Sequence, residues 1–238
     1  MQKTNLSVIV PVYNEAPTVK KVLDQLIKVK EVKEVIVVND GSTDDTEKEI
    51  KKVINSKKLG VKKIKYFKKP NGGKGSAVRL GLSKVTGDYT LIQDADLEYD
   101  PREIPLLLDP LDREGVKVVY GSRFIGSHSN LLFWHRVGNA FLNFLVNLLY
   151  NTTLSDMETC YKLLPTDLFR KLNISANAFD MEPEITCKLL RHGHNIFEVP
   201  ISYVGRDFTQ GKKITWRDGL DAFRVVLGIR FLPPSLFR

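Results

Sequence analysis

The chain has 238 residues, of which 42% are hydrophobic and 27% charged. It is long enough to bury a substantial core as one large domain or a domain with a small appendage, and its composition excludes pervasive disorder and a multi-span membrane protein. Against 28 Asp and Glu stand 36 Lys and Arg, an excess that suits a phosphorylated ligand, an acidic membrane surface or nucleic acid. From Ile201 onward there are seven Arg or Lys and three Asp, so anion binding is expected near the C-terminus. Two cysteines, Cys160 and Cys187, are too few for a disulfide framework and lack zinc-site spacing. The opening MQKTNLSVIV runs into a strand pattern without the features of a signal peptide, which makes the cytoplasm the expected location.

In chain order the first half alternates β-branched runs with helical patterns: LSVIVPV, a helix from about Pro17, VKEVIVV, a helix after Ser42, KKIKYF, a helix after Lys74, and DYTLIQ. This order predicts an α/β fold with a mostly parallel central sheet covered on both faces, its ligands beyond the carboxyl ends of the strands. Pro17 fits a first helical turn, and Ser42 with Asp45 forms a capping-box-like pair ahead of Ile50, Val53 and Ile54. A short proline-bounded helix between Pro101 and Leu111 leads to a fifth strand, VKVVYG.

Residues 131–150 are strongly apolar, yet polar residues interrupt them too often for a bilayer-spanning helix. Arg136, Asn139, Asn143 and Asn147 recur every three or four residues as one polar stripe, with Phe133, Trp134, Phe141, Leu145 and Leu148 elsewhere. A buried helix with polar contacts and an in-plane membrane helix both remain open. A last helix aligns Trp216, Leu220, Phe223 and Leu227 on one face, flanked by Arg217 and Arg224, and RFLPPSLFR follows it.

The strand DYTLIQ ends in Asp94, Asp96 and Glu98, three carboxylates at alternate positions, which point the same way. Such carboxylates repel one another unless a hard cation neutralises them, and Mg or Mn bound this way keeps sites for diphosphate oxygens. Taken alone, DAD is a weak signal that reads more readily as an acidic turn capping the next helix, with Asp100 before Pro101 as such a cap. The other strand ends add Pro11, Tyr13 and Glu15, with an aromatic face and a carboxylate for a base or ribose, and Asn39, Asp40 and Gly41. NGGKGSA lacks the first glycine of a phosphate loop and has Gly75 where Ser or Thr belongs. The first strand-to-helix turn has no GxGxxG, so P-loop enzymes and dinucleotide oxidoreductases are disfavoured. Lys74 reads either as approaching a phosphate or as simply beginning a helix.

In this order and spacing VIVPVYNE, VNDGSTD, GGKGSAVRLG, DADLEYDP and YGSRF resemble family 2 of the inverting glycosyltransferases. SDMETCYK, FDMEPEIT, EVPISY and the R…GKKITWRDG region extend the likeness to the polyprenyl-phosphate branch, which includes dolichyl-phosphate mannose synthases. The resemblance implies the GT-A nucleotide-binding fold, a base and ribose pocket at Pro11, Tyr13, Glu15 and Asp40, and a DxD motif at Asp94 and Asp96. Glu98 corresponds to a position often held by Gln in the mannose synthases. Arg123 and Arg136 resemble residues that meet the acceptor phosphate, a role their forked guanidinium groups suit. Arg206, Lys212 and Lys213 match a basic loop that closes on the donor diphosphate. Asp156 and Glu158 match an acceptor-side acidic motif, with Thr159 and Cys160 in place of a serine-glycine pair.

The expected protein is thus a catalytic domain over residues 1–205 followed by a basic loop and amphipathic helix over 206–238, peripheral to the inner face of a membrane. Its expected reaction moves a sugar from a nucleotide diphosphate sugar to a polyprenyl phosphate with a divalent cation, Mg or Mn, at Asp94, Asp96 and Glu98. Nucleic acid is not an expected partner, since only net charge points to it. Transfer to a sugar or protein hydroxyl, which needs a base such as Asp156, and a non-catalytic binding module are the alternatives.

Overall fold

The structure, a computed structural model, describes residues 4–56, 63–129, 132–206 and 216–233. Its first half follows the predicted alternation: β1 (Leu6–Val12), α1 (Val19–Leu26), β2 (Val32–Asp40), α2 (Thr46–Ile54), β3 (Ile64–Lys69), α3 (Lys74–Leu82) and β4 (Tyr89–Ile92). Then come α4 (Ile104–Leu108), β5 (Val118–Ser122), α5 (Phe133–Tyr150), β6 (Lys162–Pro165), α6 (Thr166–Lys171), α7 (Met181–Arg191), β7 (Ile196–Pro200) and α8 (Trp216–Phe231). The strands form one seven-stranded sheet in the order β3-β2-β1-β4-β6-β5-β7. Only β6 runs against the others, pairing antiparallel with both β4 and β5.

Every residue of β1 is buried, as a strand covered on both faces requires. From β1 the chain winds outward through β2 and β3, then returns to the other side of β1 as β4. The carboxyl ends of β1 and β4 therefore flank a topological switch point, where a crevice opens in sheets of this kind. The residues around Tyr13 follow one strand and those around Asp94 the other.

Two helix starts differ from expectation. Helix α1 begins at Val19, with Thr18 at the N-cap position and Pro17 just outside. At α2 the side chain of Asp44 accepts from the Thr46 N–H, while Ser42 Oγ accepts from Asn14 N–H and ties the first two loops together. Asp100 does cap its turn, accepting from the Arg102 N–H at 2.9 Å.

A second, smaller core joins Leu142 and Val146 of α5, Leu154, Met157, Cys187 of α7, and Ala222, Val226 and Ile229 of α8. The packed row of α8 is thus Ala222, Val226 and Ile229 rather than the predicted row through Leu220 and Leu227; Phe223, at its edge, stacks on Phe141 with ring centroids 6.2 Å apart. On α5 the later part of the polar stripe, Asn143 and Asn147, faces inward, while Arg136 at its start is exposed. Asn143 donates to Ser155 O and accepts from Met157 N–H, and Asn147 does the same with Leu154 O and N–H. The opposite stripe of Phe133, Val137, Phe141, Phe144 and Leu148 is exposed, Phe133 by 68% and Leu148 by 66%. No helix among the described residues is long and apolar enough to cross a membrane.

Candidate active site

At the switch point a cavity of about 700 Å³ opens, lined by the predicted residues Pro11, Tyr13, Glu15, Asp40, Lys74, Asp94, Asp96, Glu98, Arg123, Arg136, Glu158 and Arg206. Lys212 and Lys213 lie outside the described residues. Asp156 sits behind the wall, fully buried.

The three carboxylates do not project together from an extended strand. β4 stops at Ile92, and the following turn carries Leu97 at φ 66°, a left-handed backbone that breaks the alternation. Asp94 lies 2.8 Å from Lys74 Nζ, and Asp96 3.0 Å from Arg206 Nη2. Glu98 turns aside: it accepts from the Tyr203 hydroxyl and from the Arg206 backbone N–H, both at 2.7 Å, and so fixes where Arg206 enters the cavity. Among the described residues no three His, Cys, Asp or Glu side chains converge as a metal cage.

Asp94 and Asp96 nonetheless have the chemistry of a divalent-cation site. Burial, then the charges of Asp94 and Glu98, push the Asp96 carboxyl up to about 8 against the pull of Arg206. A pair of crowded oxygen donors beside an open cavity fits a cation of the Mg type, which takes one or two carboxylates and completes its shell with substrate phosphates and water.

On the β1 side, Glu15 receives Arg206 through both oxygens, at 3.1 and 3.2 Å, so this arginine bridges the first loop and the acidic turn. Asp40 serves the architecture as well as the cavity. It accepts from Lys69 Nζ at 2.6 Å and from the Gly72 and Gly73 N–H groups at 3.0 and 2.8 Å. Gly73 has φ 90°, and a Cβ there would lie 2.3 Å from Asn177 O; one on Gly75 would lie 2.3 Å from Ala176 O. The glycines of GGKG thus let the start of α3 press against residues 176–177 and aim Lys74 inward.

Lys74 belongs to a buried row of alternating charge that sequence reasoning missed. Lys162 Nζ, fully buried, donates to Glu182 at 2.7 Å and to the carbonyls of Met157 and Thr159. The other oxygen of Glu182 lies 3.2 Å from Lys74 Nζ, an ionic contact without hydrogen-bond geometry, and Lys74 reaches Asp94. Burial alone would lower the Lys74 pKa, but Asp94 and Glu182 hold it well above its ordinary range. A lysine in the apolar strand KLLP was the available signal, since a charge at a strand position facing a core needs a partner.

On the far wall Arg123 meets Asp156 through Nε at 2.8 Å and Nη2 at 2.7 Å. The segment bearing Asp156 is held by Asn143 and Asn147 and by Glu198, which accepts from the Ser155 and Asp156 N–H groups. Arg136 stacks on Phe124 at 4.3 Å and has no carboxylate partner among the described residues. Glu158 is half-buried, its Oε1 buried and lacking a hydrogen-bond partner among the described residues, and desolvation, against the pull of Lys162, pushes it up to about 7.

A sheet of this topology, with an acidic turn at its switch point, is an α/β architecture that takes its ligand beyond the carboxyl ends of the strands. Residues 7–172 match the model of Glycosyl transferase family 2, and the chain belongs to that family. It is a glycosyltransferase with a GT-A-like fold. A dodecaprenyl-phosphate galacturonate synthase of Rhizobium johnstonii is 23% identical over 238 residues, 97% of this chain and 69% of its own length. An uncharacterized glycosyltransferase of Rickettsia typhi is 32% identical over 71% of this chain, which spans 52% of that protein. Glucosyl-3-phosphoglycerate synthase from Mycobacterium tuberculosis, solved with Mn2+, UDP and glucosyl-3-phosphoglycerate, superposes with a TM-score of 0.72 at 20% identity, over 97% of this chain and 81% of that one. At that identity the likeness is one of fold.

Proposed function

We propose that the protein transfers a hexose from a nucleotide diphosphate sugar, of the UDP-glucose or GDP-mannose type, to a polyprenyl phosphate at a membrane surface, with inversion at the anomeric carbon. The observation that carries this reading is the orientation of α5. The N-terminal part of its polar stripe, Arg136 and Asn139, lines the cavity, with Arg136 and Arg123 sharing the Phe124 ring, while Asn143 and Asn147 hold residues 154–157 and its apolar stripe is exposed. An anionic head inside and an apolar surface outside suit a lipid phosphate. The galacturonate synthase, named for a dodecaprenyl phosphate, supports the same acceptor class.

In this reading Tyr13, Glu15 and Asp40 receive the base and ribose, and the diphosphate lies toward Asp94 and Asp96. Those two residues would hold Mg or Mn, which when bound offsets the charge of the departing diphosphate. Lys74 and Arg206 supply further positive charge on that side, with Lys212 and Lys213 as part of the same basic segment. Arg123 and Arg136 orient the acceptor phosphate for attack opposite the leaving group, and because its oxygen is already anionic no base is needed. Residues 1–205 act as the catalytic domain and 206–238 as a basic, membrane-facing segment on the cytoplasmic side.

The test is a matrix of UDP-glucose, UDP-GlcNAc and GDP-mannose against a short polyprenyl phosphate, a sugar hydroxyl and phosphoglycerate, with Mg or Mn. Transfer to the prenyl phosphate is expected, and transfer to hydroxyls alone would sink the reading. One observation favours a hydroxyl acceptor instead: Glu158 borders the cavity with an oxygen unpartnered among the described residues and a pKa near the working range of a general base. In that case kcat would rise with pH through about 7 and fall by about a hundredfold or more in Glu158→Gln.

A further inference from the structure

We propose that Tyr203 is a positioning residue that couples the two halves of the cavity: release of Arg206 on the donor side resets the seat of Arg123 on the acceptor side. The role given to Arg123 rests on the acceptor reading above. Tyr203 borders the cavity and is only 5% exposed, yet it touches both halves. Its hydroxyl donates to Glu98 Oε2 at 2.7 Å, and Glu98 Oε1 accepts from the Arg206 backbone N–H at 2.7 Å. One carboxylate therefore holds the tyrosine and the arginine, with an oxygen for each. The Tyr203 ring supports the Arg123 guanidinium, 5.2 Å from Cζ to the ring centroid. Arg123 lies 5.4 Å from the Phe124 ring, which also carries Arg136 at 4.3 Å. Contacts thus run unbroken from Arg206 to both arginines of the far wall.

The backbone of Tyr203 is the fixed point of this relay. It bridges Tyr99 and His128, its N–H donating to Ser127 O and its carbonyl accepting from Ser129 N–H, both at 3.0 Å. The ring leans edge-on against Tyr99, with centroids 5.3 Å apart. So anchored, the side chain answers a displacement of Glu98 by turning about its own torsions, and the turn is felt where the ring meets Arg123. Arg206 supplies the displacement because it has two sets of partners. In the donor-free structure it holds Glu15 and Asp96, and the proposed diphosphate and cation replace those contacts. Packing explains an aromatic residue at 203 but not its hydroxyl, since phenylalanine fills the same space against Tyr99 and Arg123. The hydroxyl is what ties the ring to the acidic turn.

The test is a coupling measurement on the whole chain. Calorimetry gives the Kd of geranyl phosphate alone and with saturating Mn2+ and UDP or GDP, whichever nucleotide the wild-type matrix selects. In the wild type the nucleotide is expected to tighten geranyl phosphate about fivefold or more, and geranyl phosphate to tighten the nucleotide by the same factor. Tyr203→Phe keeps the ring and removes the hydroxyl, so the factor should fall to about one while each ligand alone binds within about twofold of wild type. A hydroxyl that only stabilises the fold would lower Tm and weaken both ligands alike, leaving the factor in place. Tyr203→Leu removes the ring too, and should weaken geranyl phosphate severalfold even without nucleotide. A wild-type factor of one, an unchanged factor in Tyr203→Phe, or unchanged geranyl phosphate binding in Tyr203→Leu overturns the proposal. A wild-type enzyme that transfers to no prenyl phosphate overturns the acceptor reading instead, and the same cycle is then run with the acceptor the matrix selects.

Discussion

Arg123 and Asp156 are joined by three hydrogen bonds: Nε to Oδ2 at 2.8 Å, Nη2 to Oδ1 at 2.7 Å, and the Arg123 backbone N–H to Oδ2 at 2.9 Å. Asp156 is fully buried with both carboxylate oxygens engaged, an arrangement suited to mounting the arginine rather than to taking up a proton. Asp156→Asn leaves the buried guanidinium without its counter-charge, and breaking such a pair costs roughly 3–5 kcal/mol. Urea unfolding should show a loss of that order together with a raised KM for the acceptor. A midpoint equal to wild type would contradict the mounting role.

Asp96 and Glu158 give the metal-free protein a definite pH dependence. Their folded pKa values, about 8 and about 7, lie above the ordinary 3.8 and 4.5, so the native state holds protons that the unfolded chain releases. Stability therefore falls as pH rises from about 4 toward 8. Glu34 acts in the opposite sense. Its burial is outweighed by hydrogen bonds from Lys65, Ser7 and Thr86 that lower it to about 2, and its contribution is lost as pH falls from about 4.5 toward 2. Thermal melts in chelator should peak near about pH 5. Asp96→Asn should flatten the decline on the alkaline side, keep the fold and abolish metal-dependent turnover. Full activity in that variant would remove the metal role.

The buried row predicts that Glu182 governs Lys74. Glu182→Gln keeps the shape of the side chain but leaves Lys162 without its only carboxylate among the described ion pairs, and Lys74 with Asp94 alone. Lys74 should then bind Asp94 more tightly and compete with a cation there. The expected result is a several-fold rise in the Mn2+ concentration for half-maximal activity, with acceptor KM little changed. A purely structural role would lower Tm without moving the metal requirement.

These relationships mark how far the sequence could be read. Strands β1 to β4 were legible because buried parallel strands are near-continuous apolar runs, and the strand-end residues from Pro11 to Asp96 follow from that. Glu98 was misdirected because a period of two was carried past Ile92 into a turn whose backbone at Leu97 no alternation anticipates. Strand β6, four residues with a lysine and a proline, gives almost no periodic signal. Glu182 and Lys162 lie 20 residues apart, and only the antiparallel insertion of β6 brings them together. The polar stripe of α5 was visible, but which way it faced depended on Leu154, Ser155 and Met157, which periodicity cannot place.

That inward stripe leaves an apolar face whose contact with lipid can be measured. Phe144→Ser with Leu148→Ser removes two exposed side chains, each contributing up to about 1.5–3 kcal/mol if fully inserted. Flotation with anionic vesicles should drop at least about fivefold while Tm stays near wild type, because neither residue belongs to a core. Undiminished flotation would assign vesicle binding to another surface.

Arg206 joins Glu15 to Asp96 across the cavity mouth, at 3.1 and 3.0 Å. It thereby neutralises carboxylates that the proposed donor and cation also use, and those ligands must take over its contacts when they bind. Arg206→Ala has two opposite consequences. Without donor, Asp94 and Asp96 face less competing positive charge, so Mn2+ measured by calorimetry should bind several-fold more tightly. In turnover, the diphosphate loses a cationic partner as it departs, and kcat should fall by about a hundredfold, the scale set by removing one preorganised donor from a reacting centre. Arg206→Lys keeps the charge without the fork that spans two carboxylates, and should fall between. Tighter Mn2+ with slower turnover is a pairing that a loss of folding cannot produce, whereas weaker Mn2+ binding in Arg206→Ala would show that the arginine supports the acidic turn instead of competing for it.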